Sequence, residues 1–275
     1  DLGFTVSLFD GNFLYKAVDF TLVAICTVHV DDLFVAASPG LLDSLARRIE
    51  QKFGNPKRHG MPFTYLGIVH ERLSSTHVLL HQNPYLEKLK VAVSNRDIAK
   101  VSDGTSLLAD EHKEFRSLLC SLLWVCQTRI DLAHDVVSLQ SEMVTPTAEH
   151  FRSVNALLKK TLANRVQNGL RFRVLGWPLR IVSIADSGHA TKKSSYPYEG
   201  KMVLIMSDRV TGADDSEWVD SRTAGTMLSG HAHCIFFSAR KATCISHSTS
   251  LPETLSAVGC VQTSQLVSHR FTEVF

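Results

Sequence analysis

Four carboxylates stand where carboxylates are costly or crowded. Asp31 and Asp32 are adjacent in TVHVDDLFVAA, inside one of the most apolar stretches of the chain. Neighbouring carboxylates repel unless a cation or hydrogen-bond donors compensate them, so the pair is a candidate metal ligand set. Asp186 ends the apolar run RIVSIAD, where an unpaired charge is expensive unless a partner or a metal ion holds it. Glu253 lies in SLPE with Ser250 three residues earlier, the spacing of a helix capping box, which alone is a sufficient reason for it. His231-x-His233-Cys234 would set two imidazoles on one strand face, a geometry that suits zinc, but no second ligand pair follows at a recognisable spacing. No G-x-S-x-G nucleophile elbow appears among the serines and histidines.

The elements that must position these groups follow from periodicity. Phe20 to Val28 and Leu33 to Ala37 are short apolar or β-branched runs, which predict two strands with Asp31-Asp32 at the tip of their hairpin. A turn tolerates one aspartate readily, so the second is the informative one. Strand alternation predicts that His29 and Asp31 share a face, with Asp31 the principal ligand and Asp32 the auxiliary one. Leu42, Leu45, Ile49 and Phe53 then mark a helix stopped by Gly54-Asn55-Pro56. FTYLGIV (Phe63 to Val69) reads as a strand with His77 to His81 as its partner, completing an α/β region over residues 1–82. Residues 83–168 read as helical: one helix starting at Asn83-Pro84, a longer one over about Glu114 to Met143, and a third from Thr145-Pro146 with Phe151, Val154, Leu158 and Leu162 on one stripe. Residues 169–275 are β-rich (LRFRVL, LRIVSIAD, YEGKMVLIM, HAHCIFFSA) and close with a helix from Leu251; Ser207 to Ser221 reads as a polar loop between strands.

At 275 residues, 44% of them hydrophobic and 20% charged, the chain can build real cores and is not a disordered tail. A formal charge of +2 neither requires nor excludes nucleic acid. Six cysteines with no framework spacing predict reduced thiols of an intracellular, non-secreted protein, cytoplasmic or nuclear. No apolar stretch is long enough for a membrane span, and no signal peptide precedes Asp1. The start at Asp1 and the end at Val274-Phe275 predict a fragment or a processed product.

Taken in order, these segments resemble the reverse transcriptase and ribonuclease H region of copia-type LTR retrotransposon polyproteins. The H-V-D-D hairpin is similar to the family's Y-x-D-D hairpin, and FGNPKRHGMPFTYLGIVHE to its F…G…Y-F-L-G-I segment. EFRSLLCSLLWVCQTRIDLAHDVVSLQS resembles Y-R-S-L-V-G-S-L-L-Y-L…T-R-P-D-I…A-V-S, and TPTAEHFRSVNALLKKTLANRVQNGLRF the P-T-x-x-H helix with its link onward. IADSGHA and SARKATCISHSTSLPETLSAV are similar to the S-D-A-D-W-A and S-K-K-Q…S-S-T-E-A-E-Y segments of the ribonuclease H part. The resemblance covers nearly the whole chain in collinear order. It implies an α/β fold made of the C-terminal half of a reverse-transcriptase palm, a helical thumb and connection, and a truncated ribonuclease H-like domain. It implies RNA-directed DNA synthesis with hybrid degradation, by two-metal phosphoryl transfer on Mg2+ or Mn2+. Asp31, Asp32, Asp186 and Glu253 then fall at catalytic, metal-binding positions.

Primer–template and RNA–DNA hybrid would be the partners, with other segments of the polyprotein. His29, Leu66 and Gly67 would lie beside the primer, and Lys57, Arg58, Lys159, Lys160, Arg240 and Lys241 would meet phosphates. The chain also departs from the family pattern. His29 replaces the hairpin tyrosine and Gly188 the second acid of D-A-D-W. The first palm aspartate and the last ribonuclease H aspartate have no counterpart, and Glu273 is poorly placed to replace the latter. The expectation is therefore a chain that is inactive by itself, with a non-catalytic remnant or a co-opted nucleic-acid-binding module as the competing reading.

Overall fold

The computed structural model describes residues 3–164, 169–188, 197–207, 209–211, 218–220, 231–242 and 250–275. They pack as two compact units, Asp1–Gly60 with Gln262–Phe275, and Met61–Val261.

In the first unit, β1 (Thr5–Val6), β2 (Phe13–Val18), β3 (Thr21–His29) and β4 (Asp32–Ala37) form an antiparallel meander in that order. Side-chain alternation gives the central strand one apolar face, on which Ala24 and Cys26 are buried. Burial raises the Cys26 thiol pKa, as expected of a packed and inert cysteine. Helix α1 (Pro39–Phe53) starts with Pro at its first position and ends at Gly54, whose φ of 89° a side chain would strain. Its expected stripe is realised in Leu45, Ile49 and Phe53, which line a cleft of about 510 Å³ with Leu14, Cys26, Val28 and Leu33 of the sheet. The C-terminal half of the last helix, from Gln262, belongs to this unit. Its Glu273 carboxylate accepts from Ser7 Oγ (2.7 Å) and Leu8 N (2.6 Å), and His269 stacks on Phe9 at 6.2 Å.

In the second unit, β5 (Phe63–Tyr65), β6 (Ile68–Arg72) and β7 (His77–His81) form a meander that β8 (Leu170–Arg173) extends by pairing with β7. FTYLGIV is therefore two strands and not one, because Leu66 (φ 48°) and Gly67 (φ 75°) turn the chain back in the two-positive-φ pattern of a tight hairpin. This sheet therefore draws strands from both sides of residue 168.

After the single turn α2 (Asn83–Leu86) come α3 (Ala109–Val125), α4 (Ala133–Gln140) and α5 (Ala148–Ala163). The long helix expected over Glu114 to Met143 is α3 and α4, separated by a turn and a short 3-10 segment, Ile130–Leu132. The break is held by Arg129, nearly buried, whose guanidinium donates twice to Asp131 (both 2.9 Å) and once to Thr161 O (3.4 Å). That fork keeps the Asp131 carboxyl below its ordinary pKa. Phe151, Val154 and Leu158 of α5 interlock with Phe115, Leu119, Leu122 and Val136 in the main core. At an order-of-magnitude 1.5–3 kcal/mol for each fully buried large apolar side chain, this core dominates the unit's stability.

The remaining strands β9 (Leu179–Gly188), β10 (Tyr198–Ser207) and β13 (Ala232–Lys241) form an antiparallel sheet in the order β13-β10-β9. The stretch Ser207 to Ser221 holds a small pair, β11 (Arg209–Thr211) with β12 (Trp218–Asp220), where the sequence suggested only a loop. Helix α6 (Ser250–Val274) closes the chain.

Candidate functional site

Of the hairpin aspartates, Asp31 lies in the β3–β4 turn and Asp32 opens β4. Val30 and Asp31 are the two turn residues, and His29 pairs directly with Asp32 across the ladder. His29 and Asp32 therefore share the sheet face, with Asp31 in the turn itself, which corrects the expected sharing of His29 with Asp31. The reason is local: the strand's alternation stops at His29 and resumes at Asp32. Val30 has φ 55°, a conformation that crowds a β-branched side chain and costs about 1–3 kcal/mol. It is also 88% exposed, so packing does not compensate the strain. Backbone strain of this kind concentrates at functional turns. His29, Asp31 and Asp32 are all exposed, and among the described residues neither carboxylate has a hydrogen-bond or ion-pair partner.

Leu66 and Gly67 form the tip of the β5–β6 hairpin, with Leu66 exposed. The turn rests on Trp124 of α3: a Cβ on Gly67 would lie 3.4 Å from Trp124 Cζ2. Behind it the Gln82 amide, oriented as its neighbours require, accepts from Trp124 Nε1 (2.9 Å) and donates to Val125 O (3.2 Å) and Thr128 Oγ1 (3.0 Å). Trp124 is thus the support of the Leu66-Gly67 turn, a role no spacing in the sequence announces, since 57 positions (124 − 67) separate it from Gly67. His70 pairs across the ladder with Phe63 and stacks on it at 5.0 Å; burial keeps its imidazole pKa below the ordinary value.

Asp186 and Glu253 are carried on opposite faces of the β13-β10-β9 sheet. The register Asp186↔Gly200 sets Asp186 on the face of Tyr198 and Ala239, where with His134 and Val137 of α4 they line a cleft of about 400 Å³. Tyr198 OH is within 2.8 Å of Ser141 Oγ, which anchors that wall. Helix α6 lies on the other face, with Gly259 over Lys201, the next residue along β10. Its small side chains Ser256 and Cys260 sit in the valleys of the pleat. Ser256 Oγ donates to Asp186 O (3.2 Å) and Gly200 O (3.1 Å), and Cys260 Sγ to Ile184 O (3.4 Å) and Met202 O (3.5 Å). The strand backbone thus stands between the Asp186 side chain and the helix that carries Glu253, an exposed residue of its first turn. Glu273 is committed to Ser7 and Leu8.

The basic candidates divide. Lys57, Lys159 and Lys160 are exposed, Lys160 lying 3.7 Å from Asp135. Arg58 is bound to Asp43 at 3.1 Å, though both stay solvent-accessible. Arg240 is turned onto the buried carboxylate of Glu199 through Nε and Nη2, both at 2.9 Å, so it serves the sheet; Lys241 ends β13. His233 Nε2 accepts the Arg173 backbone N–H at 3.0 Å, and His231 Nε2 faces the Arg173 guanidinium. Burial, then the charge of Arg173, holds His233 below its ordinary pKa. Both lone pairs that zinc would need are already engaged. Among the described residues, no group of three or more His, Cys, Asp or Glu side chains is placed to hold a metal ion. Two-metal phosphoryl transfer requires ions about 3.5–4 Å apart, clamped by shared carboxylates, and the donors present do not fit that pair.

Comparison with known proteins supports a segment of a retrotransposon polyprotein. The chain is similar to the Retrovirus-related Pol polyprotein from transposon RE1 of Arabidopsis thaliana, at 27% identity over 216 residues. The match covers 74% of this chain and 14% of that polyprotein, so the chain spans a small part of its relative's length. No protein-family model matches, and no solved structure matches. No helix among the described residues is long and apolar enough to cross a membrane.

Proposed function

We propose that this chain is the part of a copia-type retrotransposon polyprotein that holds the polymerase hairpin, the thumb and connection, and the start of ribonuclease H, and that in isolation it binds nucleic acid without catalysis. The observation that carries the reading is the β3–β4 hairpin. Two exposed carboxylates, unpartnered among the described residues, sit at and beside a strained two-residue turn of an antiparallel sheet. A solvent-facing acidic tip of this kind serves chemistry on a polyanion when a cation and further carboxylates join it. The Leu66-Gly67 turn on Trp124 supports a primer-contacting role, and the exposed lysines 57, 159 and 160 support phosphate contacts. Mg2+ or Mn2+ would supply charge neutralisation in the intact enzyme. Among the described residues no group of three or more such side chains is placed to hold a metal ion, so no catalytic step is assigned to these carboxylates.

The test uses the purified chain with magnesium or manganese, assayed for primer extension and for hybrid cleavage. Binding to a fluorescent primer–template is followed by anisotropy across a salt series. The expected result is salt-sensitive binding without turnover. Turnover abolished by Asp31→Asn or Asp186→Asn would overturn the non-catalytic part. Absence of salt-dependent binding would overturn the nucleic-acid reading.

A further inference from the structure

A short extended segment after α2 presents a ready edge for another chain. The side-chain amide of Asn155 clasps one residue of it: Ala92 N donates to Asn155 Oδ1 at 2.7 Å, and Asn155 Nδ2 donates to Ala92 O at 3.0 Å. Both backbone groups of one residue can face the same partner only where the chain is extended, so Asn155 imitates a neighbouring β-strand. In an extended chain the N–H and C=O groups of the flanking residues, Val91 and Val93, point to the opposite edge. Among the described residues neither has a hydrogen-bond partner there. The side chains confirm the pleat, with Ala92 6% exposed between Val91 at 40% and Val93 at 65%. The edge is thus without hydrogen-bond partners among the described residues, β-branched and held straight from behind by α5. Lys90 is exposed on this segment, and Lys88 is exposed in the turn just before it, where its N–H donates to Tyr85 O.

We infer that residues 90–93 form a β-augmentation site that takes an extended acidic peptide segment of a partner protein as an added strand. Main-chain bonds from Val91 and Val93 would supply the docking geometry, and side chains the selectivity. Charge chooses the occupant. A second copy pairing in parallel would bring its own Lys90 against the first, and like charges opposed across a ladder are destabilising; an antiparallel copy about Ala92 would set Lys90 opposite Ser94, without the counter-charge that an acidic strand supplies. A strand with small β-branched residues between glutamates matches both features of the edge. Exposed lysines on an edge also discourage promiscuous pairing, so the site selects partners and does not aggregate.

The probe is an acetylated, amidated peptide EVTVE, titrated into the full chain while amide resonances are followed by heteronuclear NMR. Binding is expected to shift the Val91 and Val93 amides and to slow their hydrogen exchange, leaving Ala92, already clasped, little changed. Val93→Pro removes one donor from the open edge and leaves the Asn155 clasp in place, so it should abolish binding. Lys90→Glu, a surface change that leaves folding intact, should weaken it by roughly three- to tenfold. A peptide N-methylated at alternate amides should bind in only one of its two registers. The inference is overturned if millimolar EVTVE leaves Val91 and Val93 unmoved, if KVTVK binds equally well, or if both N-methylated registers bind alike. Because the readout is peptide binding at residues 90–93, it is independent of whether the chain binds nucleic acid.

Discussion

Replacing Glu111 by glutamine should uncouple the start of α3 from the loop before it and remove an acid-sensitive part of the unit's stability. The Glu111 side chain is fully buried and accepts four hydrogen bonds: Ser94 Oγ at 2.6 Å, Arg96 Nε and Nη2 at 2.7 Å each, and Leu108 N at 2.8 Å. With Arg96 as the largest cause, its pKa falls from the ordinary 4.5 to about 2. That depression corresponds to about 3 kcal/mol at neutral pH, reduced to about 2 kcal/mol because Arg96 remains partly in water. The sign follows from a lowered folded-state value. The contribution is complete above about pH 4.5, declines as pH falls toward 2, and is absent below. Glutamine keeps the shape but turns an NH2 toward donors, so Glu111→Gln should cost about 3 kcal/mol at pH 7, including the donors left unpaired. Hydrogen exchange of the α3 amides in increasing urea, at pH 7 and at pH 3.5, reads this unit locally. Wild type should lose protection on acidification and Glu111→Gln should lose much less. A variant within about 0.5 kcal/mol of wild type at pH 7, or one with the same acid slope, would refute the reasoning.

Other perturbations follow from single atoms. Val30→Gly should raise stability by about 0.5–1 kcal/mol, since glycine takes φ 55° freely while the side chain it loses is exposed; a lowered urea midpoint would count against strain at the hairpin tip. Gly169→Ala should destabilise the second unit by about 2 kcal/mol or more, because the new Cβ would lie 2.6 Å from Leu80 O on the neighbouring strand, where backbone cannot yield. An unchanged thermal midpoint would contradict that packing. Trp124→Ala should cost about 3 kcal/mol and weaken primer–template binding, because it removes the support of the Leu66-Gly67 turn. Lost stability with unaltered binding, measured well below the midpoint, would separate the turn from the nucleic-acid surface.

Where periodicity is strong and the partner is close in sequence, the chain announces its own structure. The β3–β4 hairpin is read from two apolar runs and the polar tip between them, because a two-residue turn leaves the strands only one way to pair. The α1 and α5 stripes are equally plain, since burial of one face needs no knowledge of what covers it. The sequence alone also determines the acidic tip and the similarity to a retrotransposon polyprotein.

Other features were decided only by tertiary structure. The Asn83-Pro84 helix stops after one turn because Asn155, 63 positions beyond Ala92, holds the following backbone extended. The helix expected to run unbroken through residue 126 breaks because Arg129 finds Asp131 and the Thr161 carbonyl, and burying a guanidinium requires both. Local pattern cannot report these distant hydrogen bonds. The relation of Asp186 to Glu253 belongs to the same class. Each residue's place on its element is legible, but the face of the sheet on which α6 lies is not. That face is set by where Ser256 and Cys260 fit the pleat and where Gly259 clears Lys201. Composition and spacing specify which groups are available; whether two of them meet depends on long-range packing, which no window of sequence contains.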